Sequence, residues 1–137
     1  MKLRERGTAL IEFALAWPIA LLLVLGCVEL AVWGTEAFSA RSAAIAGARA
    51  GSVAGAPLTV ASAVAIRVLD PGLVGAAAAS WCPGQASERP SLWVCARDLG
   101  TSVQVTIGGE APALVPLVAG GGLPLHADVV LQKEKFS

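Results

Sequence analysis

Tyrosine is absent from this sequence, histidine occurs once, at position 126, and aromatic residues make up only 5% of its 137 positions. A core built on large rings is therefore excluded, and the abundant Ala, Gly and Val point to close backbone packing instead. With one histidine and three cysteines, of which Cys27 lies inside a long apolar run, a four-ligand zinc site lacks donors. Lysine and arginine cluster only at Lys2, Arg4 and Arg6, and the side chains sum to zero charge, so no basic face remains for nucleic acid. The sequence also lacks a GxSxG elbow, an HExxH pair and a GxxxxGK[ST] loop, and the run Gly120-Gly121-Gly122 fails the spacing of a dinucleotide loop. The expectation is a protein without catalytic residues, cofactor or small-molecule substrate. His126 reads as an ordinary sheet residue, and Glu88, Asp98 and Glu110 as solvated loop charges.

What the sequence has in excess is apolar surface, 55% of residues, concentrated towards the start. Between residues 13 and 33 the only ionisable side chain is Glu29. At about 1.5 Å per residue this run suffices for the roughly 30 Å hydrocarbon core of a bilayer. The bases precede it, while Glu29 and Glu36 stand on its far flank, so the positive-inside rule puts the N-terminus in the cytoplasm and the rest outside. Pro18 removes one amide donor and crowds the carbonyl of Ala14, which predicts a kink or loosened first turns. Trp33 suits an interfacial anchor; Trp17 lies too deep for one.

Glu12 is the expensive residue. An acid at the centre of a membrane helix costs on the order of 2.5–3.5 kcal/mol, and such residues usually have a partner. A secretory signal peptide would not carry Glu12 in its apolar region. A lipoprotein signal is approximated by Val24-Leu25-Gly26-Cys27, in which Cys27 would be acylated, but Leu25 fits poorly and no polar tether follows. A plain signal anchor also leaves Glu12 without a reason.

The string Arg6-Gly7-Thr8-Ala9-Leu10-Ile11-Glu12-Phe13-Ala14-Leu15 resembles the cleavage region of type IV prepilins. With Trp17-Pro18, Leu25-Gly26-Cys27-Val28-Glu29-Leu30 and Ala44-Ile45-Ala46-Gly47-Ala48-Arg49-Ala50-Gly51, it is similar to the TadE-like family of tight-adherence (Flp, type IVb) pilus proteins. Beyond the first fifty or so residues the likeness is one of layout only. The resemblance implies cleavage after Gly7, Thr8 as the new N-terminus, Glu12 as the register and processing residue, and Phe13 as its apolar neighbour. It implies a minor pilin or pseudopilin that takes part in pilus assembly, adherence and biofilm formation. The partners implied are the membrane, a prepilin peptidase of the aspartic type, other pilin subunits, and an inner-membrane platform with its ATPase.

The spacing has a physical reading of its own. Cutting after Gly7 would free an ammonium on Thr8, and Glu12 lies four residues on, about one helical turn. A sister helix displaced by one turn would bring its ammonium to this carboxylate, in a medium where the pair is worth more than in water. The alternative is that Glu12 snorkels to the cytoplasmic interface.

After Trp33-Gly34 the pattern stays helical, with Thr35 as a local cap, until Pro57 ends it. Phe38 and Ile45 are expected to face a globular head, and Glu36, Arg41 and Arg49 to face water. Gly47, Gly51 and Gly55 recur at every fourth position, a small-residue stripe for helix packing, either between subunits or within the chain. Between residues 59 and 69, Val60, Val64 and Val68 with Ala61 and Ala65 predict a second short helix, stopped by Asp70-Pro71-Gly72. Strand-like stretches follow at 91–96, 102–107 and 123–133, with turns at Pro83-Gly84, Gly108-Gly109 and Gly120-Gly121-Gly122. Residues 111–119, broken by Pro112 and Pro116, read as a loop or one helical turn. Cys82 and Cys95 enclose twelve residues, and outside the cytoplasm they are expected to form a disulfide worth about 3 kcal/mol. The predicted fold class is α+β and pilin-like: a leader over 1–7, a membrane helix over 8–33, its extracytoplasmic continuation over 34–56, and a small antiparallel head over 57–137.

Overall fold

The computed structural model describes the backbone of residues 2–115 and 120–134, and side chains from residue 7 onward. Helix α1 (Lys2–Ser52) is a single element of 51 residues that runs through Pro18 and through Gly34-Thr35 without a break. Thr35 starts no new helix; its hydroxyl donates to the Val32 carbonyl at 2.7 Å, one turn back. Past the end of α1, Gly55 takes φ +78°, a left-handed conformation that costs glycine little. Pro57 then leads into α2 (Leu58–Leu69). A 3-10 turn at Asp70–Gly72 stops α2, with Pro71 supplying the break.

Four strands follow: β1 (Ala78–Ser80), β2 (Leu92–Asp98), β3 (Ser102–Pro112) and β4 (Gly122–Gln132), in the order β1-β2-β3-β4. The pairs β2–β3 and β3–β4 are antiparallel, whereas β1 runs parallel to β2, so the sheet is mixed and not wholly antiparallel. A parallel neighbour needs a crossover, here residues 81–91. The overall class is α+β, a long apolar helix followed by a small sheet.

Gly108-Gly109 is not a turn. Both residues lie within β3, and Gly108 pairs with Trp93 of β2. Any Cβ on Gly108 would come within 3.0 Å of the indole of Trp93. At Gly109, φ +127° lets the backbone pass close to Ser91, whose carbonyl accepts from the Glu110 amide at 2.8 Å. These glycines serve close approach, which a turn dipeptide resembles in sequence. Ala111 and Pro112 extend β3, opposite Leu123 and Gly122 of β4, instead of opening a loop; the part of that loop reading falling on residues 116–119 lies outside the described residues.

The core lies between one face of the sheet and the two helices. Ala40, Ala43, Ala44 and Ala48 of α1 meet Ala61, Ala65 and Leu69 of α2, above Val94, Val103, Val105 and Ile107 of the sheet. Small residues on both helices let their axes approach, and β-branched residues on the strands fill the space beneath. In α2 the buried positions are Ala61, Ser62, Ala65 and Leu69, while Val60 and Val68 are about two-fifths exposed. The expected short helix is there, with its alanines turned to α1 and Val60 and Val68 at the rim of the contact, where Val64 is half-buried.

A smaller cluster of Leu92, Ala111 and Leu125 continues the core towards Trp33 and Ala37. The sheet thus lies along α1. Val103 at the start of β3 faces Gly51, and the amide of Leu114 just beyond its end meets Glu29. From Glu29 to Ser52 the helix rises about 35 Å, and the 11 residues of β3 span about 34 Å. The head therefore covers α1 only from Glu29 onward.

Candidate functional site

The part of α1 that the head leaves bare is apolar and exposed: every side chain over residues 7–24 is in the open, including Leu10, Phe13, Leu15 and Trp17. From Gly7 to Glu29 it rises about 33 Å, one hydrocarbon thickness. Length and composition fit a single-pass membrane anchor. Gly7, Thr8 and Glu12 lie near the start of this stretch, Glu12 one turn beyond Thr8 and exposed. Phe13 and Trp17 stack one turn apart, ring centroids 6.0 Å. A Cβ on Gly7 would meet nothing within 4 Å. Pro18 follows Trp17 inside the continuous helix, and Cys27 is a free, exposed thiol.

Where the bare segment meets the head, α1 presents Glu29, Trp33 and Glu36 on one face, four and three residues apart. Glu29 is 8% exposed. The Leu114 amide donates to both of its oxygens, at 3.1 and 3.0 Å, and the Val115 amide donates to Oε2 at 3.1 Å. The indole of Trp33 donates to the Pro124 carbonyl at 3.1 Å. Glu36 is 2% exposed and accepts from the Val74 amide at 3.0 Å. Two carboxylates and one indole thus join the helix to three separate segments of the head. Each acid takes backbone donors that have no strand partner, which offsets the cost of burying it.

Glu36 therefore does not face water, and Phe38, expected to face the head, is 73% exposed. Charge misplaced one residue and hydrophobicity the other. The positions that decide the face are 29, 33, 36, 40, 44, 47 and 51, a run of three- and four-residue steps in which small residues and the two acids share one side. That spacing was present in the sequence and would have found Glu29 and Glu36.

The glycine stripe divides. A Cβ on Gly47 would lie 2.7 Å from the Ala61 carbonyl and 2.8 Å from the Ala65 Cβ; on Gly51 it would lie 2.9 Å from the Ala61 Cβ. Both lie against α2 of the same chain. Gly55 has left the helix and has nothing within 4 Å, so it takes no part in this packing.

Cys82 and Cys95 form a disulfide, Cα atoms 4.8 Å apart, joining the crossover to β2. Beside it Trp81 and Trp93 meet edge to face at 5.6 Å, and the Trp81 indole donates to the Ser87 carbonyl at 3.1 Å. On the outer face of the sheet, Gln104 and Thr106 donate to one oxygen of Asp128 at 2.9 and 2.8 Å. His126 and Asp128 border an open cleft together with Arg41. Asp98 pairs with Lys133 at 2.6 Å and accepts from the Gly100 amide at 2.8 Å. The Lys133 ammonium first, and then that amide, hold its carboxyl below the usual value. Among the described residues no three His, Cys, Asp or Glu side chains converge as metal ligands do.

Residues 7–51 match the family model described as TadE-like protein. The match begins at Gly7, takes in the bare segment, Glu29, Trp33, Glu36 and the Gly47–Gly51 packing surface, and leaves the sheet outside it. No curated protein and no solved structure matches the chain.

Proposed function

We propose, from that match and from the bare apolar helix, that this chain is a minor pilin or pseudopilin of a tight-adherence pilus. It sits in the inner membrane, with its N-terminus in the cytoplasm and its head outside. A prepilin peptidase removes residues 1–7, and the new ammonium on Thr8 pairs with Glu12 of a neighbouring subunit. Three bases and one acid leave with the leader, so the side-chain charge falls from zero to minus two and the cytoplasmic positive marker goes with it. The protein contributes to assembly and adherence together with other pilins and an inner-membrane platform with its ATPase, and catalyses no reaction.

The observation that carries this reading is the start of the family match at Gly7, with Glu12 exposed one turn beyond Thr8 on a helix the head leaves uncovered. The disulfide supports an extracytoplasmic head, because such bonds persist in oxidising compartments. The test is the mass of the N-terminus of protein isolated from its native membrane. A chain beginning at Thr8 is the expected result. An acylated Cys27 would make it a lipoprotein, and an intact Met1 a plain anchored domain.

A further inference from the structure

The Leu114 and Val115 amides, just past the end of β3, are held by Glu29, on the helix face where the bare segment ends. If Gly7 lies at the inner boundary of the hydrocarbon core, Glu29 lies about 33 Å away, at its outer boundary. Irregular backbone at that level is ordinarily excluded from lipid, because its amides find no water and each unsatisfied one costs several kcal/mol. Here both amides already have an acceptor, and the acid that provides it is shielded in return. The Leu114 side chain, by contrast, is 50% exposed, and Leu30, next to Glu29 on the helix, is 65% exposed. Between Arg6 and Arg41 the helix carries no base, so nothing on it at this level would hold a phosphate headgroup.

Resting on the reading of α1 as a membrane span, we infer that the chain just after β3, at Leu114, enters the outer leaflet of the bilayer and contacts acyl chains, with Glu29 holding its backbone in place. The head is then seated on the membrane surface as well as tethered to it. Trp33, one turn above Glu29, lies at the depth where an indole with one apolar side and one hydrogen-bonded edge is favoured.

The test uses the full chain with Cys27→Ala, reconstituted in phosphatidylcholine vesicles with the disulfide intact. Single cysteines replace Leu114, Leu22 or Ser87, each carrying a nitroxide whose relaxation by oxygen and by a water-soluble nickel complex is compared. Labels at Leu114 and Leu22 are expected to favour oxygen several-fold, and the label at Ser87 to favour nickel. A lipid-exposed Leu22 label with a Leu114 label as open to nickel as Ser87 would overturn the inference and leave the span standing. So would a Leu114 label shielded from both agents, which means contact with protein. A water-exposed Leu22 label would overturn the span, and this inference with it. Adding Glu29→Ala is expected to narrow the Leu114 spectrum without altering that of Leu22; an unchanged spectrum would show that Glu29 does not hold the segment.

Discussion

Trp33 of α1 donates its indole hydrogen to the carbonyl of Pro124, ninety-one residues away. A residue in an antiparallel strand points its amide and carbonyl to the same side, and a proline sits with that side away from its neighbour strand. The Pro124 carbonyl therefore lies on the free edge of β4, and Trp33 covers it. Trp33→Phe keeps most of the ring and removes the donor. Its expected cost is about 0.5–1.5 kcal/mol, read as a fall in thermal midpoint of the detergent-solubilised protein. Unaltered stability would mean that this bond does not fasten helix to sheet.

Gly47→Ala should destabilise although alanine is the better helix former by about 1 kcal/mol. Its methyl would overlap the Ala61 carbonyl and the Ala65 side chain, and overpacking of this kind costs about 1–3 kcal/mol. Gly26→Ala, with open space around it, is the control and should not lower stability. Equal midpoints for the two variants would place the α1–α2 contact elsewhere.

Reducing the Cys82–Cys95 bond removes a constraint on a thirteen-residue separation, worth about 3 kcal/mol. The double variant Cys82→Ser/Cys95→Ser should lose a similar amount in denaturant unfolding. Hydrogen exchange should quicken first over residues 81–91, whose crossover this bond fastens to β2.

Glu12→Ala should insert in the membrane as the parent does, since a charge has been removed from an apolar helix. It should fail to co-purify with sister subunits. Alkaline extraction of membranes reads the first effect and cross-linking reads the second. Cross-linking at the parental level would remove Glu12 from subunit register.

Asp98 gives a dependence on pH whose sign is fixed. Its carboxyl is held below its ordinary value of 3.8 by Lys133 and by the Gly100 amide. A group whose folded pKa lies below its unfolded one adds stability above the unfolded value and loses it as pH falls through the folded one. Wild type should therefore be slightly more stable than Asp98→Asn near neutral pH, and the two midpoints should converge in acid. The pair is exposed, so the difference is small; a gap that widened in acid would contradict this account.

The helices, the disulfide and the three long strands could be read from the sequence because each depends on a local pattern. The apolar run, the cysteines flanking Pro83-Gly84 and Arg89-Pro90, and the alternation Val103, Val105, Ile107 all speak for themselves. Gly108-Gly109 was misread because a glycine that admits an indole and one that admits a turn look alike until the partner strand is known. Glu36 was misread because its charge outweighed the three- and four-residue spacing that puts it on the covered face; only the identity of its donor, an amide thirty-eight residues away, lies beyond a local pattern. Strand β1 was missed because three residues of Ala-Ala-Ser carry no strand signature, and its pairing is fixed by β2 alongside. The family match, over residues 7–51, covers the helix that periodicity also covered, and the head was legible only from strand pattern and turn chemistry.

The sheet lies lengthwise on α1, with β3 and the covered part of the helix nearly equal in extent. A pull along the axis of that helix would not peel the head away one contact at a time. It would load Glu29, Trp33, Glu36, the alanine seam and Gly51 together, in shear, so rupture would require them to yield at once. A chain built in this way carries tension from its apolar helix into its whole body.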